Sequence, residues 1–365
     1  MSDIFDYLHW RGDLRFAQDN FNALDALILS RLSYLPFEDV VPKSFCHSVS
    51  LSFVARAFSP LDSRDEVLWK KDPDLLKAAA ATPRFADVRL SGYLSERDYE
   101  RKMQFSAVVF ELNEQTRFIA FRGTDASFIG WEEDFRMFIS PTLPSQQHAL
   151  RYFVAAAQFS DCRFLLGGHS KGGNLALYTA INCEPSLNKR IDGIYNFDGP
   201  GFHGDVIQSA AFGEVKDRLH SFVPQSSVFG MMLEHDEDFA IVKSRSKSFM
   251  QHDIYSWEID INDFVYLDNR TNSGYFIEHT LGDFLERLSD IEKENFTKAF
   301  FSVLESTDNT DFRKMIKSPV SGSAAMLRGL KHLDKTKRSA LGRAIVQALK
   351  SAKHNLAYLK SSNNK

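Results

Sequence analysis

The stretch Gly168-His169-Ser170-Lys171-Gly172 constrains this chain more than any other feature. It follows the apolar run Phe164-Leu165-Leu166 and opens the run Asn174-Leu175-Ala176-Leu177-Tyr178-Thr179-Ala180. The first run reads as a fully buried strand and the second as a helix. A strand, a sharp turn with a serine at its apex and a helix together form a nucleophile elbow. The serine backbone must take a strained conformation to present its hydroxyl, and small residues two before and two after it relieve the crowding. Gly173 then lets the new helix approach the sheet closely. Ser170 is the candidate nucleophile. The pattern fixes only three positions, so a glycine-rich turn without chemistry also matches it, and the rest of the chain has to decide.

At 365 residues, with 44% hydrophobic residues, the chain has material for one large α/β domain plus an extension. The amino-terminal Met1-Ser2-Asp3-Ile4-Phe5-Asp6-Tyr7 has neither a basic start nor an apolar core of the signal-peptide kind, and no apolar run approaches membrane-spanning length. A soluble, cytoplasmic protein is the expectation. Cys46, Cys162 and Cys183 are scattered, which argues against a disulfide framework or a zinc site, so neither metal nor cofactor is expected.

The net charge of −4 hides an asymmetry. From Arg313 onward Lys314, Lys317, Arg328, Lys331, Lys335, Lys337, Arg338, Arg343, Lys350 and Lys353 face the single acid Asp334. Such a basic tail can meet anionic membrane lipid or nucleic acid, although a solvated helix surface is the commoner explanation. No nucleic-acid-binding module accompanies it, so no nucleic-acid partner is expected.

Ala23 to Leu32 carries apolar residues at helical spacing with Pro36 as a stop, and Leu75 to Ala80 is a second helical stretch punctuated by Pro60-Leu61-Asp62 and Asp72-Pro73-Asp74. Strands are predicted at Val88 to Leu94, Phe105 to Leu112 and Arg117 to Phe121, the first part of a mixed sheet. Gly193 to Phe197 and Leu219 to Val223, separated by a helical stretch, continue it as parallel strands. From about Gly282 the pattern turns helical, with a break near Ser318-Pro319-Val320-Ser321-Gly322 and a frayed end at Ser361 to Lys365. The expected organisation is a catalytic domain over residues 1–281 and a helical, basic extension over 282–365.

Phe121-Arg122-Gly123-Thr124-Asp125 ends a predicted strand upstream of the elbow, where the first strand-to-helix loop of a hydrolase supplies half of its oxyanion hole. An attacked carbonyl develops a negative oxygen that needs two preorganised donors, each worth about 2.7–4 kcal/mol. The N–H of Lys171 and Thr124, by its N–H and its hydroxyl, are the candidates.

With Trp131 and Asp134 downstream of this Arg-Gly-Thr loop and a Gly-His-Ser-x-Gly-Gly elbow, the chain resembles the class 3 lipases. Asn196-Phe197-Asp198-Gly199-Pro200-Gly201-Phe202 and Gln251-His252-Asp253-Ile254-Tyr255-Ser256-Trp257 resemble more closely the bacterial Mbeg1-like group related to those lipases. The resemblance implies an α/β-hydrolase fold, with a mixed, mostly parallel central sheet flanked by helices. It also implies that Asp134 braces Thr124. Of eleven histidines, it singles out His252, in a His-x-x-x-Tyr element, as general base. His169, inside the elbow, reads as packing under the turn.

The acid departs from the lipase pattern, because the loop that carries an aspartate in class 3 lipases aligns on Val223-Pro224-Gln225-Ser226-Ser227-Val228, with Ser226 at the acid's place. Asp198 lies one strand earlier, in a segment that resembles the acid-bearing turn of pancreatic-type lipases, and the order Ser170, Asp198, His252 fits a hydrolase. Asp236, Glu234 or a site without an acid are the alternatives. The segment from Asp125 to Pro144, rich in aromatic and aliphatic residues, holds the position of a lipase lid, and an ordinary packed amphipathic helix explains it equally well.

The implied activity is that of a serine carboxylic-ester hydrolase acting on an acyl or lipid-like ester. A hydrolase-fold protein that binds a lipid or a partner without turnover is the alternative, motivated by the displaced acid and by Lys171 where lipases carry an apolar residue.

Overall fold

The computed structural model describes residues 2–58, 67–305 and 333–360. Pro60-Leu61-Asp62, the break at Ser318 to Gly322, the cationic residues from Arg313 to Lys331 and the end at Ser361 to Lys365 lie outside them. The described chain divides into two compact units. The first comprises Met1–Glu96, Phe105–Gly123 and Ser145–Arg270, and the second Arg97–Gln104, Thr124–Pro144 and Thr271–Lys365.

Nine strands form one sheet in the order β1 to β8 and then β11: Val49–Ser50 (β1), Arg89–Asp98 (β2), Met103–Glu111 (β3), Thr116–Phe121 (β4), Arg163–His169 (β5), Ile191–Phe197 (β6), Leu219–Pro224 (β7), Phe239–Val242 (β8) and Tyr266–Leu267 (β11). Ile259–Asp260 (β9) and Asp263–Phe264 (β10) form a separate antiparallel pair. β3 and β4 are antiparallel, whereas β4 through β8 run parallel to one another, which makes the sheet mixed and mostly parallel. The centre is buried on both faces, so β3 and β5 are buried almost continuously rather than on alternate residues. β8 and β11 were not legible in the sequence.

Helices of the first unit are Ile4–Arg11 (α1), Ala23–Leu32 (α2), Leu51–Ala57 (α3), Asp72–Ala80 (α4), Pro144–Gln158 (α6), Lys171–Asn182 (α7), Pro185–Asn188 (α8), Gly204–Ile207 (α9) and Ala210–Lys216 (α10). α2 begins at a capping box in which Asn22 accepts from the Asp25 N–H at 3.1 Å while Asp25 accepts from the Asn22 N–H at 2.9 Å. The helix is buried along its length, which is why Arg31 and Asp25 have to find partners inside the protein.

The second unit holds Phe128–Arg136 (α5), Asn272–Glu286 (α11), Asp290–Glu305 (α12), Lys335–His354 (α13) and Leu356–Lys360 (α14). The predicted start of the helical pattern at Gly282 falls inside α11. The helix begins ten residues earlier because the Thr271 side chain caps it through the Gly274 N–H, at 3.1 Å. α5 packs on α12 through Phe128, Phe301 and Leu304, with Trp131, Phe135 and Phe300 against them. Among the described residues no helix is long and apolar enough to cross a membrane.

One buried ion pair ties the amino-terminal segments together. Arg84 Nε donates to Asp25 Oδ1 at 2.7 Å, and its Nη1 and Nη2 donate to the carbonyls of Leu14, Asp19 and Asn20 at 2.8–3.0 Å. Tyr7 adds a 2.8 Å bond from its hydroxyl to the same carboxylate oxygen. Burial pushes the Asp25 carboxyl up, and Arg84 pulls it back. Arg84→Leu leaves that charge unpaired and is expected to lower the unfolding free energy by about 3–5 kcal/mol in a urea titration, with much of the loss recovered in the Arg84→Leu/Asp25→Leu double variant.

Candidate active site

Four loops leave the carboxyl edge of the parallel strands at one level. In the sheet register Phe121 pairs with Gly168, His169 with Phe197, and Phe197 with Phe222. The residues just beyond β4, β5, β6 and β7 are therefore neighbours, the usual place for chemistry in a parallel sheet.

Ser170 stands between β5 and α7 with φ 59° and ψ −135°, a conformation that costs a non-glycine residue about 1–3 kcal/mol. Its N–H donates to the Phe197 carbonyl at 2.9 Å, and its own carbonyl accepts from the Gly173 N–H at 2.9 Å. The flanking glycines serve close approach. A Cβ on Gly172 would lie 2.0 Å from the Phe121 carbonyl oxygen, one on Gly168 2.3 Å from the Gly172 carbonyl carbon, and one on Gly173 2.0 Å from Asn196 Oδ1. The loop after β4 passes beside the serine, since a Cβ on Gly123 would sit 3.1 Å from the Ser170 Cβ and 2.5 Å from the His169 carbonyl oxygen.

Asp198, the first residue past β6, has φ 54° and a side chain 1% exposed. Its Oδ2 accepts from His252 Nδ1 at 2.7 Å. Its Oδ1 accepts from the Ser227 hydroxyl and from the Gly230 N–H, the latter at 3.2 Å. A carboxylate only accepts, so the proton between the pair sits on Nδ1 and the lone pair of His252 is on Nε2. Asp236 instead pairs with Lys216 Nζ at 2.9 Å, and Glu234 forms a backbone bridge to Phe202. Ser226, at the place of the class 3 acid, donates its N–H to Gln251 Oε1 at 2.7 Å. The loop after β7 thus supplies a hydroxyl to the Asp198 carboxylate through Ser227 and holds the His252 loop through Ser226.

His252 is fastened to the elbow by the residue before the serine. His169 Nε2 lies 2.9 Å from the His252 carbonyl oxygen, and the two rings are 4.3 Å apart. A carbonyl can only accept, which assigns the His169 proton to Nε2 and leaves Nδ1 to accept from the Tyr34 hydroxyl at 3.1 Å. His169 is 1% exposed, and burial first, then the neighbouring His252 and Arg31, hold its pKa well below the ordinary histidine value. Below this layer Arg31 is wholly buried, donating to Asp72 at 2.7 Å with its guanidinium 4.7 Å from the Tyr34 ring centre. Tyr255, three residues past His252, donates to the same Asp72 oxygen at 2.8 Å. Ser227, Gly230, Tyr34 and Arg31 carried no signal in the sequence, because only the folded sheet brings them to the site.

Lys171 is the first residue of α7, so its N–H points from the positive end of a helix. In the second unit the Thr124 hydroxyl donates to Asp134 Oδ2 at 2.5 Å. That commits the hydroxyl proton to the carboxylate. Asp134 lies on α5, whose first turn is capped by Ser127. Among the described residues no group of histidines, cysteines and carboxylates could hold a metal ion.

The model of the Mbeg1-like family matches residues 79–302, which include Thr124, Ser170, Asp198 and His252. Among solved structures, one titled "Crystal structure of M37 lipase" is similar at 16% sequence identity, covering 58% of this chain and 70% of that chain with a TM-score of 0.36. No curated protein matches.

The buried, neutral His169 has a consequence for pH. As the pH falls below about 6.5 an unfolded histidine takes a proton that folded His169 refuses, so the unfolded state binds more protons and stability drops. His220 is shifted the same way by burial and adds to the effect. The melting temperature is expected to decrease on acidification through this range, and the decrease should be shallower in His169→Asn when both proteins are followed by circular dichroism.

Proposed function

Since the chain belongs to the Mbeg1-like family, and its Asp198–His252 pair is anchored to the residue preceding a strained Ser170, we propose that it is a serine hydrolase cleaving a carboxylic, acyl or lipid-like ester through an acyl-serine intermediate. The observation that carries this reading is the 2.7 Å contact of His252 Nδ1 with a carboxylate held by two further donors. Such an arrangement fixes the imidazole tautomer with the basic nitrogen free.

In the proposed reaction the Ser170 hydroxyl attacks the ester carbonyl carbon while His252 Nε2 takes the hydroxyl proton. The carbonyl oxygen becomes negative and is met by the N–H of Lys171 at the positive end of α7. Collapse breaks the bond to the alcohol oxygen, which leaves with the proton from His252. Water then attacks the acyl-serine while His252 takes its proton, and collapse breaks the bond to the Ser170 oxygen, which regains its proton from His252 as the acid is released. Asp198 stays ionised throughout and stabilises the imidazolium. Ser227 and Gly230 donate hydrogen bonds to the carboxylate oxygen that the histidine does not use. No cofactor enters these steps.

A fluorophosphonate probe is expected to label the folded protein at Ser170 and to leave Ser170→Ala unlabelled. On chromogenic esters Ser170→Ala and Asp198→Asn should each lower kcat by about 10⁴-fold or more. Ser227→Ala, which removes one hydrogen bond to a charged group, should cost about 10–100-fold. A folded protein that neither labels nor turns over a panel of esters and thioesters would support the reading of a non-hydrolytic lipid or partner binder.

A further inference from the structure

In the second unit α13 is packed on α12 through Leu341, with Ala299 and Val303 across from it, and its buried side consists of Ala340, Leu341, Ala344 and Ser351. The opposite side has a composition that a solvated helix does not explain. Ile345, Val346 and Leu349 are 60%, 49% and 67% exposed. Together with Gly342 they recur at helical spacing and form one stripe down the middle of the outward face.

Cations frame the stripe. Lys335 and Arg338 lie at its amino-terminal end, Arg343, which also pairs with Glu292 at 3.7 Å, and Lys350 along one flank, and Lys353 at its carboxyl-terminal end, all of them exposed. Residues 335–354 contain no aspartate or glutamate. Exposed Leu356 and Leu359 on α14 continue the apolar surface past the helix end.

A helix face built for water would place its charges at the centre, and one built for the nucleic-acid backbone would do so too. Large aliphatics at the centre with lysine and arginine at the rim match the boundary between lipid headgroups and acyl chains. The stripe can enter the acyl layer there while long cationic side chains reach anionic headgroups. We propose that the outer face of α13 docks on an anionic lipid surface, with the helix lying in the plane of the interface. Ile345, Val346 and Leu349 enter the acyl boundary, and Lys335, Arg338, Arg343, Lys350 and Lys353 meet lipid phosphates. The proposal is independent of the chemistry at Ser170.

The test uses the full chain carrying Ser170→Ala, so that no lipid is consumed, in co-sedimentation with vesicles of phosphatidylcholine alone and of phosphatidylcholine with about one third phosphatidylglycerol. The protein is expected to bind the anionic vesicles and not the neutral ones. Ile345→Asn/Leu349→Asn is expected to weaken binding by about tenfold or more with the melting temperature unchanged, because both side chains face outward. Lys350→Glu/Lys353→Glu should weaken it similarly, and so should added salt. Equal binding by the parent and the Ile345→Asn/Leu349→Asn variant would overturn the proposal. Three further results would do so too: no binding to anionic vesicles, retention on a DNA or RNA oligonucleotide that only the lysine variant loses, and a dimeric mass in solution that the aliphatic variant abolishes.

Discussion

The approach of the Gly172 backbone to the Phe121 carbonyl is the constraint on which the rest of the site depends. With a would-be Cβ only 2.0 Å from that oxygen, no other residue fits. The contact draws α7 onto the ends of β4 and β5, and it leaves Ser170 the one narrow conformation in which its N–H reaches β6. The Gly123 loop, the Asp198 turn and the serine then fall within one another's reach because the sheet register delivers all of them to the same level. Backbone crowding, not side-chain attraction, sets the geometry.

Two histidines in ring contact would ordinarily compete for a proton. For His169 burial decides the outcome: it lies in the interior with an arginine below it and stays neutral. The same neutral ring serves as a strut, holding the His252 backbone with one nitrogen and accepting from Tyr34 with the other. Arg31, Asp72 and Tyr255 extend the strut to the far side of the His252 loop. The cost of burying an arginine is thereby spread over an ion pair and stacked aromatic faces.

Features that depend on local chemistry were legible in the sequence. Glycine spacing marked the elbow, continuous apolar runs marked β4 to β7, and the Asp-Gly-Pro turn marked Asp198 as a residue set just past a strand. Features that depend on assembly were not. Ser227 reaches Asp198 only because β7 lies beside β6, and nothing about a serine pair after Pro224 announces a hydroxyl for a carboxylate. β8 is four residues long, wedged between an acidic stretch and a basic one, and its burial comes from β7 and β11 rather than from its own pattern. Likewise Phe128 and Phe135 read equally as lid or as core until α12 supplied them with partners.

The second unit is stitched from chain segments far apart in sequence, with the stretch following Gly123 packed against helices that begin after Arg270. During synthesis, therefore, β4 to β7 can pair and the elbow can close while Phe128, Trp131 and Phe135 still await Phe301 and Leu304. Asp134, which accepts from the Thr124 hydroxyl, lies on a helix whose packing partners Phe301 and Leu304 are synthesised well after the elbow.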